Sequence, residues 1–477
     1  MTGTAKSGAA GVATAPAAAT SARLSLHRVL GPMHVWALGV GIVLVGEFMG
    51  WNFTVAKGGI FGSLVACWFA GILYSCVAMI DSEVSSTVAS AGGQYAQAKH
   101  ILGPLAAFNV GLFLIFEYSM LEAADAIVIG AIAQKVNSGL SATAFVVLTI
   151  VGLSWLNYRG VHTTLTFNFV ITAVAFATII ILLFGAEFWT PTKVLKIDQL
   201  YAVDANGTDP KAPFGWLGFL AALQFGIWYY LGIEGTCQSA EECRSPGRAL
   251  PIGTIAGLVT LLVAATITWY VGTGLVDWVT LGSSAYPLYD AALATGKQWL
   301  IVTLFIGTVL SCLASANGCI NDSSRAWFSM GRDQFIPRFF GAVHPRYRTP
   351  YRSILFLIPI AISFGYTGLL DQVITFSIIS GLLLYGIMPF NMIRFRKMYP
   401  IDAIKRGYIH PFHPYTSYVL LLFTAVTFVA TYFGYWKNLV AAMLFYISAS
   451  VWFVYHRYRM VNRSKLYTMP WPRPKGY

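Results

Sequence analysis

Twelve long apolar stretches contain no Asp, Glu, Lys or Arg: 29–46, 58–80, 101–116, 141–158, 163–186, 212–233, 249–276, 298–321, 353–370, 372–393, 414–436 and 438–455. A helix that crosses the hydrocarbon layer needs roughly 20 mostly apolar residues. The composition agrees, with 57% hydrophobic and only 10% charged residues, against about 25% charged in soluble domains. The expected fold class is therefore an all-α membrane protein of twelve transmembrane helices. The third stretch is short, so its helix must carry acids inside the membrane to span it.

Twelve spans put both termini on one side, and the basic residues choose that side. With the termini cytoplasmic, inside segments hold 24 of the 31 Lys and Arg, and outside segments hold 7. That asymmetry follows the positive-inside rule and predicts a multi-pass protein of the cell inner membrane. The net charge of +12 then reports topology and contact with the lipid bilayer, not nucleic-acid binding. All six cysteines lie in or at the ends of apolar spans, so no disulfide framework is expected. The cytoplasmic N-terminal tail covers 1–28; it is Ala-, Gly-, Thr- and Ser-rich as far as Ala22 and reads as disordered. The first five spans occupy 29–186, and an extracellular loop follows at 187–213. The next five spans fill 214–397, the last two fill 414–455, and a basic tail closes the chain at 456–477.

Two spans are interrupted. The first contains Gly39, Gly41, Gly46 and Gly50, with Glu47 and Asn52 at membrane depth. The sixth has Gly226, Gly232 and Gly235 around Ile227-Trp228-Tyr229-Tyr230-Leu231, followed by Glu234. Irregular backbone at this depth is tolerated only where it lines a polar cavity. Interrupted segments opening two five-span halves point to a transporter substrate site. Close helix packing alone would explain the glycines, but not the coincident acids.

Four phrases carry a family resemblance. Ser90-Ala91-Gly92-Gly93-Gln94-Tyr95 leads to Gly103-Pro104, and Asn157-Tyr158-Arg159-Gly160-Val161 falls between spans four and five. Glu241-Glu242-Cys243-Arg244-Ser245-Pro246-Gly247-Arg248 follows span six, and Gly331 to Pro337 follows span eight. In order and in register, they resemble amino acid–polyamine–organocation (APC) permeases. Gly46-Glu47-Phe48-Met49-Gly50-Trp51-Asn52 and Ile227 to Gly235 look most like the ethanolamine permease branch, whereas Asn321-Asp322 in span eight departs from its pattern. The resemblance implies a five-plus-five inverted repeat of the leucine-transporter type, helices 1 and 6 discontinuous, with two extra C-terminal helices.

In amino-acid-carrying relatives the unwound part of span one holds a substrate carboxylate on backbone N–H groups. Here Glu47 stands there, flanked by Gly46, Phe48 and Gly50. A fixed carboxylate repels an acid and attracts an ammonium. The expected substrate is thus a small organic amine cation such as ethanolamine or choline, with amino acids or polyamines as the alternative. Span three adds Glu117, Glu122 and Asp125. At 100° per residue Glu122 and Asp125 lie about 60° apart, and Glu117 about 140° from Glu122, so all three cannot face one small site. The family register points Tyr118, Ser119, Glu122 and Ala123 toward substrate. Trp228 matches an aromatic gate, Tyr229 and Leu231 line the same break, and aromatic faces attract organic ammonium groups. Glu234 and Asp125 are the further gating or coupling candidates. Glu241 and Glu242 lie at the cytoplasmic end among Arg244 and Arg248, where a gate or helix-end ion-pair network is expected.

No Gly-x-Gly-Asp phrase, His-Glu-x-x-His or nucleophile elbow is present, so a membrane enzyme is not expected, nor a cofactor or metal. A channel is the other rival, but channels seldom need broken helices in matched halves. Residues 161–186 contain no lysine, which removes one proton mechanism of the family. A sodium site would need carbonyls near Gly41–Val45 with Ser311 or Ser315. Uniport or exchange driven by membrane potential, or symport of a coupling proton through Glu122 or Glu234, is expected.

Overall fold

The computed structural model describes residues 26–187 and 215–464. The tail of 1–22, the connection from 188 to 213 and the Pro-rich ending lie outside the described residues. Among the described residues the regular structure is helical, with one isolated bridge between Leu30 and Cys243. Its helices are α1 (Pro32–Val43), α2 (Val45–Phe48), α3 (Asn52–Thr87), α4 (Gly93–Ile101), α5 (Pro104–Val136), α6 (Ala142–Arg159) and α7 (Val161–Gly185). After the gap come α8 (Gly215–Gly226), two 3-10 segments (Ile227–Tyr229 and Ile233–Glu242), α9 (Pro246–Leu275), α10 (Trp278–Ser283) and α11 (Pro287–Ala294). The described residues end in α12 (Gln298–Arg332), α13 (Tyr351–Tyr366), α14 (Leu370–Met398), α15 (Tyr415–His456) and α16 (Tyr458–Ser464).

Among the described residues seven helices are long and apolar enough to cross a membrane, and Pro32–Phe48 and Tyr351–Tyr366 are shorter apolar segments. The apolar stretches, where described, fall on helical segments. The last two share α15, whose 42 residues bend at non-helical Tyr435 (φ −143°); at 1.5 Å per residue it is about twice the length of one crossing. The short third stretch behaves as its composition requires. Its helix, α5, runs 33 residues and carries Glu117, Glu122 and Asp125 as fully or almost fully buried side chains.

Proline opens α1, α5, α9 and α11 at the first helical turn, where its missing N–H costs nothing. Large apolar side chains such as Trp68, Ile72, Leu148 and Trp155 point outward, as lipid-facing positions do. Inside, α3 packs along α8 and α9, while α5 packs along α12 and α14. The interrupted segments α1–α2 and the 3-10 stretch Ile233–Glu242 run between these two groups.

Candidate functional site

The first interrupted segment breaks after Phe48, since α1 passes into the single turn α2 through Leu44, which stays helical (φ −57°, ψ −23°). Met49 is then extended (φ −160°, ψ 155°) and Gly50 enters the left-handed region at φ +86°. In the other segment Gly232 sits at φ +111° between the two 3-10 stretches. Both glycines adopt conformations that a side chain disfavours. Gly39 and Gly41, read as part of the break, stay helical. A methyl group at Gly39 would meet Ile233 and Thr236, and one at Gly41 would meet Thr172 and Asn168, all within 2.5–2.7 Å. These two serve close packing.

Trp228 joins the two breaks. Its Nε1 donates to the Met49 carbonyl at 3.0 Å. A methyl group at Gly46 would lie 2.6 Å from the Trp228 carbonyl oxygen, and one at Gly50 would lie 2.5 Å from Nε1. Gly46 and Gly50 therefore form the groove that receives the indole, which is 2% exposed. Glu47 projects from the same turn, is fully buried, and neither carboxylate oxygen has a hydrogen-bond partner among the described residues. It lies within electrostatic reach of Tyr229, Tyr230 and Cys67. Trp51 tilts against Tyr229 at 6.2 Å between ring centroids, with its far edge against Gly272 of α9. Phe48 points elsewhere, onto Gly307 of α12, and Leu231 onto Gly381 of α14.

The other predicted residues gather in two further patches. On α5, Glu122 and Asp125 interact, and Asp125 lies beside Ser315 of α12. Both Asp125 oxygens, one Glu122 oxygen and the hydroxyls of Ser119 and Ser315 are buried without partners among the described residues. Glu117 turns away, as the helical angle requires, and meets Glu234 and Asp322. Tyr118 goes with Glu117: a methyl group at Gly235 would lie 2.9 Å from its hydroxyl. The structure thus separates Tyr118 from Glu47. Glu234 accepts from the Tyr385 hydroxyl at 2.6 Å and from the Gly232 N–H at 3.3 Å. Tyr385 in turn meets the Tyr74 hydroxyl at 2.8 Å.

Outside the site, two sets of polar contacts join separate helices. Glu242 receives Arg325 of α12 through two nitrogens at 2.7 and 2.9 Å, and Glu241 receives Arg332 at 2.9 Å. Their partners are these α12 arginines, not Arg244 and Arg248, because the 3-10 stretch lies against α12. Amides join α1, α6, α7 and α12. Asn157 donates to Asn317 (2.9 Å), Asn317 to Asn168 (3.1 Å), and Asn168 to the Ala37 carbonyl (3.3 Å). Ser311 donates to Thr308 in its own helix at 2.9 Å, as serines in apolar helices do. Sequence reasoning missed this ladder; three asparagines in apolar spans were its only signal.

Chemically, the centre is a closed and desolvated region rich in carboxyl groups and aromatic faces. Glu47, Glu117, Glu122, Asp125, Glu234 and Asp322 are each at most 2% exposed. Among the described residues none of them forms an ion pair with Lys or Arg. Such a site can receive positive charge, as an ammonium group or as protons. Two broken helices meeting at buried acids inside a multi-span helical membrane protein define a solute carrier as the class. The chain belongs to the amino acid permease family, whose model matches residues 33–463. It is a transporter and not an enzyme. It is 58% identical over 469 residues to an uncharacterized transporter of Rhizobium meliloti, covering 97% of this chain and 99% of the relative. It is 25% identical to a branched-chain amino acid permease of Bacillus subtilis, covering 92% of this chain and 95% of the relative. A vacuolar cationic amino acid transporter of Arabidopsis thaliana is 25% identical, over 69% of this chain and 57% of that protein.

Proposed function

We propose that this chain imports a small cationic solute of the amino-acid class by alternating access. It does so as a plasma-membrane carrier with twelve spans in a five-plus-five inverted repeat and both termini cytoplasmic. The family and its named relatives support the amino-acid class. The observation that carries the choice of a cation is Glu47, buried at the broken turn with both oxygens unpartnered among the described residues. An ammonium group docked there gains charge-assisted hydrogen bonds, and the faces of Tyr229 and Trp51 add cation–π attraction. Trp228 is the gate: lifting its indole from the Gly46–Gly50 groove opens the site.

One observation favours a second reading, an organic amine without an acid group, such as ethanolamine or choline. Glu47 stands on the interrupted turn itself, where it would repel a substrate carboxylate, and the phrase from Gly46 to Asn52 resembles the ethanolamine branch. Uptake into proteoliposomes under an inside-negative potassium-diffusion potential separates the readings, using labelled arginine, alanine, ethanolamine and choline. We expect arginine to accumulate, and Glu47→Gln to weaken it by more than about tenfold, since even ~1.4 kcal/mol is tenfold. Trp228→Phe should slow uptake modestly and Trp228→Ala severely. Ethanolamine carried with arginine excluded would establish the second reading. Alanine carried as well as arginine, with Glu47→Gln unimpaired, would sink both.

A further inference from the structure

At the end of the bundle opposite the buried Lys99–Asp333 pair, a lysine occupies a cage of aromatic rings. α5 and α12 pack antiparallel, with Lys99 bonded to Asp333 at one end and Lys135 near Phe305 at the other. The Lys135 Nζ stands 4.2 Å from the ring centre of Tyr289 and 4.6 Å from that of Tyr286. These tyrosines belong to α11 and its N-terminal cap. Ile132, Phe305 and Thr308 complete the lining of the cleft, which measures about 230 Å³ with its part open to solvent. Lys135 forms no ion pair among the described residues. The acids of the α10–α11 hairpin are engaged elsewhere: Asp290 accepts from the Ser284 hydroxyl, and Asp277 caps α10. An ammonium group thus lies against two aromatic faces without a counter-charge.

The hairpin is also tied to the first interrupted segment. Asn52, the first residue of α3 after the break, donates to the carbonyls of Leu281 (2.9 Å) and Ser284 (2.8 Å). A methyl group at Gly282 would lie 2.9 Å from the Ala56 Cα, so α10 rests on the start of α3. Inward of the cage, Tyr286 is in electrostatic reach of Cys312, and Cys312 of Asp125. Asp125 lies on the same helix as Lys135, about 15 Å from it along the axis and about 80° around. Both Asp125 oxygens are buried without partners among the described residues. A cation entering from this end therefore meets the two rings before the unpaired central acids.

We propose that Tyr286 and Tyr289 form a reception site for the ammonium group of an incoming solute, held in this closed structure by Lys135 as a tethered stand-in. The proposal rests on the cation reading above and adds a second site to it, at the end that the proposed topology makes external. Aromatic faces attract an ammonium through the ring quadrupole and need no carboxylate. Binding here is weak and quickly reversed, which suits a site that passes its ligand on. Lys135 carries its charge on a flexible four-carbon stem, so it yields the rings to a free ammonium and returns once the solute has moved inward. A lysine that only latched the hairpin to α5 would act together with the rings. At a reception site the lysine and the rings act in opposition.

Saturation-transfer NMR of tetramethylammonium with the full chain in nanodiscs tests this. The probe carries a charge but no N–H donor, so it reports aromatic faces more than carboxylates. Lys135→Gln empties the rings and should tighten binding by about two- to fivefold, the range of one exposed cation–π contact. Tyr286→Leu and Tyr289→Leu should each weaken it by a similar factor. Tyr286→Phe keeps the ring, so it should bind like wild type and show that the hairpin tolerates a change at this position. Any signal from the closed centre is common to all these variants and cancels. Shifts of the same sign in the lysine and leucine variants would make the contact a latch and overturn the reception site. Binding unchanged in all of them overturns it too. If labelled L-arginine fails to enter proteoliposomes while the lysine and leucine variants still shift the probe in opposite directions, the proposed substrate falls and this site stands.

Discussion

At the basic face of the molecule Glu83, fully buried, accepts from Arg396 at 2.6 Å, from Arg406, and from the His410 N–H at 3.0 Å. Glu242 is gripped by Arg325, and Asp333 by Lys99 at 2.6 Å with Tyr95 at 3.1 Å. In the centre, Glu47, Glu117, Glu122 and Asp125 are buried just as deeply with no cation from the described residues. Both sets are buried and their pairing is opposite. A paired buried acid is part of the framework, since removing either partner strands the other. An unpaired one is kept for a charge that arrives and leaves.

The largest effect expected from this contrast is on Glu83. Glu83→Gln leaves Arg396 and Arg406 buried without a counter-charge and should cost ~3–5 kcal/mol of stability, read as earlier thermal unfolding of the purified protein. A loss below about 1 kcal/mol, the scale of an exposed pair, would erase the distinction between the two regions. The central acids should behave otherwise. Glu122→Gln and Asp125→Asn strand no partner, so stability should stay within about 1 kcal/mol or rise, even where transport is lost. A drop as large as that for Glu83→Gln would reveal a hidden counter-charge and break the comparison.

The smallest effect sharpens it. Burial pushes His410 down from its ordinary value to about 4, opposed by Glu83 and reinforced by Arg396, His413 and Arg406. The folded group therefore takes up its proton later than the unfolded one. Its contribution to stability is complete above about pH 6.5, the ordinary histidine value, and is lost as pH falls from there toward 4. His410→Gln should flatten the stability profile in that window. An unchanged profile would show that Glu83 and its arginines alone hold the loop.

Much of the geometry of the candidate site was legible in the residues. Gly46, Glu47 and Gly50 with Trp228 announced a crossing of two broken helices, because glycine and acid have no ordinary reason to share a span. The wide angle about the helix axis between Glu117 and Glu122 placed them on different faces, and they do serve different patches. Partner choice was not legible. The family resemblance turns Tyr118 toward substrate, and its hydroxyl faces Gly235 of the second interrupted segment. Arg244 and Arg248 were nearest in sequence to Glu241 and Glu242, yet Arg332 and Arg325 arrive from 91 and 83 residues away. Gly39 and Gly41 looked like unwinding and are packing contacts.

The sequence by itself determined that this chain lives in a membrane, how its helices are spaced, and which two of them are interrupted. Those properties follow from hydropathy and from local backbone preference, which each segment carries alone. Only the tertiary structure decided which acids stand paired and which stand empty. The energy of a buried charge depends on what other helices bring within a few ångströms of it, and no local pattern records that. Asp322 is the clearest case: an unexpected acid in an apolar span, until α5 and the broken segment bring Glu117 and Glu234 beside it.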